Sequence, residues 1–183
     1  MKYYPNILLI AGAGRNVGKT MLACEIISHL SMSADVTAIK ISSHFHPVED
    51  GQKVIANTKN YHIIEENLHT EKDSSRMLRA GAKKAFYIQA KENNLQDAWD
   101  ILSAEITDCP VVCESGALHK LIKPGLFFFV CGNKVPENKQ QIFAYHPVTV
   151  SFNHRVQTLE ASQVHFQDNQ FYYVPKSNQN GPF

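Results

Sequence analysis

The segment from residue 13 to residue 20 constrains this chain more than any other part of its sequence. It reads AGRNVGKT and fits the phosphate-binding pattern G-x-x-x-x-G-K-[ST], with Ala13 in place of the first glycine. The apolar run Asn6–Ala11 precedes it, and apolar residues spaced three or four apart follow it. This context predicts a buried strand, a phosphate-binding loop and an amphipathic helix, which is the setting that such a loop requires.

The chemistry of each position explains the prediction. Glycine lets backbone amides point at phosphate oxygens, a lysine reaches the outer phosphates, and a hydroxyl can hold magnesium. The sequence therefore predicts that a nucleotide binds here. All eight residues are candidate ligands: Ala13, Gly14, Arg15, Asn16, Val17, Gly18, Lys19 and Thr20.

Four further polar side chains accompany this loop. Glu114 directly follows the apolar run 110–113, so we expect a carboxylate at the ligand-binding end of a strand, where it would hold magnesium together with Thr20. Lys40 lies in an apolar strand and is either a second cation for the ligand or a strand-end lysine that reaches solvent. His44 and His46, two apart, would face one side of an extended chain and are candidate metal ligands.

The rest of the chain alternates strand and helix patterns, which predicts an α/β fold with a mostly parallel sheet. A helix is expected from the apolar spacing between Leu95 and Ile106, and residues 42–72 are irregular apart from a possible short strand. A C-terminal β-hairpin is expected around Asp168 and Asn169. The remaining predicted strands are Val36–Ile41, Tyr61–Ile64, Lys84–Ala90, Pro110–Cys113, Gly125–Cys131, Gln163–Phe166 and Phe171–Val174.

Length and composition exclude several classes of protein. A chain of 183 residues suits one domain, here residues 1–175, with 176–183 as a flexible tail. A net charge of +1 offers no strong field for nucleic acid or anionic lipid, and no apolar run approaches the ~20 residues of a membrane-spanning helix. The four cysteines form no CxxC pair, so we expect reduced thiols and a cytoplasmic protein.

Short motifs in a fixed order carry a resemblance to a known family. After the loop come Ala38-Ile39-Lys40, His44-x-His46 and Lys72-Asp73-Ser74-Ser75-Arg76, then Ala80-Gly81-Ala82. Over about residues 6–131, the chain resembles the molybdopterin-guanine dinucleotide biosynthesis protein B (MobB) family of P-loop proteins. It departs from that family at Ile41, where a histidine is usual, and at Ser115, which stands between Glu114 and its glycine.

The resemblance implies a P-loop NTPase fold, a three-layer sandwich with helices on both faces of the sheet. It also implies GTP and Mg²⁺ as ligands, weak GTP hydrolysis, a homodimer, and assistance to a nucleotidyltransferase partner that attaches GMP to molybdopterin. By position, Lys19, Lys40 and Glu114 would be the catalytic residues, and Asp73 and Arg76 would line the nucleotide site.

Two other functions remain open at this stage. Glu114-Ser115-Gly116-Ala117-Leu118 is loosely similar to the acidic loop of dethiobiotin synthetase, which would imply an ATP-dependent ligase or kinase for a small acid. The other function is that of a nucleotide-dependent module that delivers a metal through His44 and His46. Asn133 and Lys134 begin like the guanine-binding Asn-Lys-x-Asp sequence, but Pro136 replaces the aspartate and Glu137 comes one residue late.

Overall fold

A computed structural model describes most of the chain, and we refer below only to this part: residues 1–49, 52–67, 71–106, 108–132, 134–153 and 156–176. Its strands are β1 Lys2–Gly12, β2 Thr37–Ser42, β3 Lys53–Asn57, β4 Tyr61–Glu65, β5 Lys84–Ala90, β6 Val111–Glu114, β7 Ile122–Cys131, β8 Val148–Asn153, β9 Val156–Gln157, β10 Val164–Gln167 and β11 Gln170–Tyr173. Its α-helices are α1 Lys19–Leu30, α2 Asp73–Arg79 and α3 Leu95–Ser103. Short 3-10 helices cover Glu92–Asn94, Leu118–Lys120, Glu137–Tyr145 and Ala161–Gln163.

Nine of the described strands form one sheet, in the order β3-β4-β5-β2-β6-β1-β7-β8-β9. The six from β5 to β8 run parallel, whereas β3, β4 and β9 add antiparallel pairs at the two edges. Strands β10 and β11 form a separate antiparallel hairpin. The expected α/β class, mostly parallel sheet and C-terminal hairpin are thus confirmed.

The buried strands are apolar at nearly every position, so side chains on both faces of the sheet have to be covered. On one face, Leu8 and Ile10 pack with Ile26 of α1, Met77 of α2 and Phe171 of the hairpin. On the other face, α3 and the 3-10 helices Leu118–Lys120 and Glu137–Tyr145 cover a second core. Its members include Ile7, Leu9, Ile39, Trp99, Leu102, Phe129 and Ile142. Helices therefore lie on both sides of the parallel strands.

The sequence patterns located most of these elements. The predicted short strand at Tyr61–Ile64 is present as β4, and both helices with clear apolar spacing form, although α3 ends at Ser103 rather than reaching Ile106. Strands β3, β8 and β9 and helix α2 were not predicted. The predicted tail, residues 176–183, lies outside the described residues except for Lys176. Within those residues, no helix is long and apolar enough to cross a membrane.

Candidate functional site

The carboxyl ends of β1, β2 and β6 meet at one edge of the sheet and border a cavity of about 800 Å³. Parallel strands in an open α/β sheet present their following loops at the same edge, which is where such folds bind ligands. The loop after β1, the end of β2, the start of α2 and the end of β6 all line this cavity. The candidate residues therefore come from segments far apart in the sequence.

The loop between β1 and α1 ends in a glycine that the geometry requires. Gly18 precedes the first residue of α1 with φ of 90°, and a Cβ atom there would lie 2.7 Å from the Phe152 ring. Both the left-handed backbone and this close contact favour glycine. The first turn of α1 borders the cavity, and the first turn of a helix has backbone amides without partners inside the helix, which suit an anion.

Lys19 opens α1, and its ammonium group remains close to the loop. Its Nζ donates a hydrogen bond of 2.6 Å to the carbonyl oxygen of Gly14. Burial lowers the pKa of Lys19, and Lys40 contributes in the same direction, whereas Glu114 opposes the change. The charge of Lys19 is thus held in a partly dry setting, where a bound anion would favour it strongly.

Strand register brings Lys40 and Glu114 together. The two residues stand directly opposite each other in the parallel pair of β2 and β6, and Lys40 Nζ lies 2.6 Å from Glu114 Oε1. The same ammonium lies 2.7 Å from Oδ2 of Asp73, at the start of α2. One lysine therefore bridges two carboxylates.

Thr20 completes this cluster from the helix side. Its hydroxyl donates a hydrogen bond of 2.7 Å to Oε2 of Glu114 and also reaches Asp73. Glu114 is only 2% exposed, and a carboxylate that is buried in this way needs hydrogen bonds from the protein. Thr20 and Lys40 provide one for each of its two oxygens. A hydroxyl and two carboxylates in one corner form a set of hard oxygen donors of the kind that Mg²⁺ prefers.

The pKa values of the cluster follow from its charges. Burial alone would lower the pKa of Lys40, but the adjacent Glu114 and Asp73 outweigh burial and raise it. Burial would likewise raise the pKa of Asp73, but its contacts with Lys40, Thr20 and Arg76 lower it below the ordinary value. Lysine and aspartate therefore both carry their charges at neutral pH.

Arginines and histidines surround this cluster. Arg76 lies 3.5 Å from Asp73 across one turn of α2, and Arg15 in the loop contacts Nε2 of His44 at 2.8 Å. Because a guanidinium only donates, the imidazole nitrogen is the acceptor in this contact. His46 also lines the cavity, but the described residues contain no group of three or more His, Cys, Asp or Glu that could hold a metal ion.

The cavity includes most of the loop positions chosen from the sequence. Gly14, Arg15, Asn16, Gly18, Lys19 and Thr20 line it, together with Lys40, Asp73, Arg76 and Glu114. Ala13 and Val17 differ, because their side chains pack in the two cores, and the Ala13 amide donates to the carbonyl oxygen of Val130. Asn133 lies outside the described residues, and Glu137 begins a 3-10 helix after Pro136.

Sequence reasoning did not select several residues that line the cavity, among them Tyr87, Lys139 and Phe152. Tyr87 was assigned only to a strand, although its register opposite Lys40 turns both side chains to the same face of the sheet. Phe152 belongs to β8, which was not predicted. Lys139 lies in a 3-10 helix whose weak apolar pattern gave no signal.

A second cavity of about 270 Å³ adjoins the first. Lys40, His46, Asp73 and Tyr87 line both cavities, whereas Glu71, Lys72 and Ser74 line only the smaller one. The ion pair between Lys40 and Asp73 therefore lies at the boundary between the two.

Comparison with known proteins found no matching family model, curated protein or solved structure.

Proposed function

We propose that this chain is a P-loop NTPase that binds GTP with Mg²⁺ and hydrolyses it slowly. The observation that carries the proposal is the convergence of Lys19, Thr20 and Glu114 at one end of the cavity, beside a glycine-bounded loop that opens α1. A phosphate-binding loop, a strand-end carboxylate and a helical hydroxyl are the parts that this chemistry needs.

In this proposal, the loop and Lys19 hold the phosphates. The amides of the first turn of α1 donate to phosphate oxygens, and Lys19 leaves the carbonyl of Gly14 to reach the outer phosphates. Arg15 and Arg76 add positive charge on either side. The side chains of Ala13 and Val17 support the loop from the core.

Magnesium would be held by Thr20 and Glu114, with Asp73 as a further oxygen donor. When bound, the ion would neutralise charge on the phosphates and polarise the transferred group. Lys40 now neutralises both carboxylates, so it has to share or release them when a divalent cation is bound. Lys40 is in this way a positioning residue for the acids.

Slow hydrolysis follows from how the acids are used. Glu114 and Asp73 are both committed to Lys40 and Thr20, so neither is a free base beside the phosphates. A protein of this kind converts its bound nucleotide slowly. That behaviour suits the accessory role which the resemblance to the MobB family suggests, in a cytoplasmic homodimer that assists a nucleotidyltransferase.

A second candidate is an ATP-dependent ligase or kinase for a small acid, similar to dethiobiotin synthetase. The second cavity favours it, because Lys40 lies at the boundary between that cavity and the proposed phosphate site. The two candidates differ in base preference and in turnover.

Turnover measurements separate them. For the accessory protein, we expect GTP hydrolysis that requires Mg²⁺, remains slow, and falls at least about tenfold in Glu114→Gln while nucleotide affinity changes little. Glu92→Gln is the matched control, since Glu92 lines the same cavity but contacts Lys120. Preference for ATP together with turnover stimulated by a small carboxylic acid would favour the ligase or kinase instead.

A further inference from the structure

The smaller cavity contains groups that the proposed nucleotide site does not use. Lys72 and Ser74 line it from the start of α2, and Tyr87 and His46 line it from β5 and from the segment after β2. Tyr87 is buried and bonded to Ser42, and the backbone amide of His46 is held by Gln89. A buried framework therefore supports the cavity on the sheet side.

Most polar groups at this cavity are hydrogen-bond donors. Lys40 and Lys72 bring two ammonium groups, and Tyr87 brings a hydroxyl. The acids are Asp73, which is bonded to Lys40, and Glu71, whose side chain is 99% exposed and therefore screened by solvent. Lys72 Nζ lies 2.6 Å from Oε1 of Glu49, and Glu49 does not line the cavity. Hydrogen-bond donors and cations therefore line a cavity of about 270 Å³, which suits a small molecule.

The charge at Lys40 depends on the neighbouring carboxylates. In the free protein, Glu114 and Asp73 together neutralise this ammonium group. A divalent cation that binds these same carboxylates would take over that neutralisation, and the charge of Lys40 would then act on the smaller cavity. Occupation of the nucleotide site should consequently make the second cavity more attractive to an anion.

We propose that the 270 Å³ cavity is a second binding site, for a small molecule that presents a carboxylate or phosphate group to Lys40 and Lys72. This inference rests on the proposed function, because the bound molecule would lie next to the terminal phosphate of the nucleotide, across the Lys40–Asp73 pair. Binding at the two sites is coupled, so Mg²⁺ and nucleotide strengthen anion binding.

Calorimetric titration with two probes, succinate and inorganic phosphate, tests the site. Each is added to the full chain alone and to the chain saturated with Mg²⁺ and the non-hydrolysable analogue GMPPNP, which keeps phosphate out of the loop 13–20. We expect at least one probe to bind the saturated protein, about tenfold more tightly than in Lys72→Ala. Succinate binding alone indicates a carboxylate ligand, and phosphate binding alone indicates a phosphate ester.

Two controls make the result specific. Lys83→Ala removes another ion-paired lysine, one that pairs with Asp35 far from the cavity, and should leave probe affinity unchanged. GMPPNP affinity should be the same in Lys72→Ala and the wild type, since Lys72 does not line the larger cavity. Normal GMPPNP binding with no probe binding, or with equal probe affinity in Lys72→Ala, would overturn this inference alone. Failure of the wild type to bind any nucleotide would contradict the proposed function.

Discussion

At the scale of single residues, the ion pairs that Lys40 forms with Glu114 and Asp73 are the contacts whose loss we expect to cost the most stability. Glu114 is almost fully buried, and an ionised carboxylate in that setting has to be compensated by a cation and by hydrogen bonds. Lys40 supplies the cation and Thr20 the second hydrogen bond. Removing one partner leaves a buried charge, which costs far more than removing both.

We predict that Lys40→Met lowers the free energy of unfolding by about 3 kcal/mol, because Glu114 and Asp73 lose their shared cation. The double variant Lys40→Met with Glu114→Gln should recover much of that loss. Urea unfolding measures both. Lys53→Met is the control, since Lys53 is 68% exposed in its pair with Glu65 and should cost less than about 1 kcal/mol. A double variant as unstable as the sum of its parts would rule out the coupling.

A second prediction concerns the end of the loop. Gly18→Ala should destabilise the protein by about 2 kcal/mol or more, because φ is 90° and the new Cβ would collide with the Phe152 ring. Gly14→Ala should cost about 0.5 kcal/mol or less, since no atom lies within 4 Å of its Cβ position. Thermal and urea unfolding compare the two. Equal losses would show that Gly18 has no special backbone requirement.

At the scale of elements, the C-terminal hairpin is an integral cover of one sheet face. Phe171 of β11 is 1% exposed and packs in the core that contains α1, whereas its neighbour Tyr172 is 40% exposed and stacks on His165. The alternation of a strand turns one side chain inward and the next outward. The hairpin therefore contributes apolar area that the sheet would otherwise leave uncovered.

We predict that Phe171→Ala costs about 3–5 kcal/mol, because it leaves a cavity beneath the hairpin. Tyr172→Ala, one residue away, should cost about 1 kcal/mol or less. The midpoints of urea unfolding give both numbers. If Phe171→Ala were no more harmful than Tyr172→Ala, the hairpin would not be part of the folded core.

Element patterns explain which helices could be predicted. Helix α3 buries Leu95, Ala98, Trp99 and Leu102, a clear apolar stripe. Helix α2 has only seven residues and buries two serines beside Met77, with Ser74 bonded to Glu66. Periodicity cannot identify a short helix whose buried face is polar. The position of Asp73 beside Lys40 depends on this helix, so that contact was not predictable either.

At the scale of the whole molecule, the order of the strands in the sheet brings the site residues together. The motif at 13–20 and the position of Glu114 after an apolar run predicted three of the central residues, Lys19, Thr20 and Glu114. The contact between Lys40 and Glu114 could not be predicted, because β6 comes late in the chain yet inserts between β2 and β1. Register then places the two side chains opposite each other. The apolar patterns of the sequence locate the strands, but they do not determine which strands lie side by side.

A further prediction concerns the stability of the whole molecule against acid. Burial lowers the pKa of His119 from 6.5 to about 4, with the nearby Lys120 acting in the same direction. The unfolded chain therefore binds more protons between these values, so stability present above pH 6.5 is lost as the pH falls toward 4, by about 3 kcal/mol at most.

Unfolding measured from pH 7 to pH 4 checks this expectation. His119→Gln should flatten the loss in that range, because the glutamine takes up no proton. The exposed His46→Gln is the control and should follow the wild type. A wild-type slope that His119→Gln leaves unchanged would assign the acid sensitivity to other groups.

The central claim is that Lys19 and the loop around it bind a nucleoside triphosphate, and calorimetric titration with GTP and with ATP, each with Mg²⁺, tests it most directly. Lys19→Ala is compared with Lys59→Ala, which removes an exposed lysine in the turn between β3 and β4. We predict saturable binding with a preference for GTP, abolished in Lys19→Ala and unchanged in Lys59→Ala, while both variants remain folded. Absence of binding in the wild type, or undiminished affinity in Lys19→Ala, would contradict the claim.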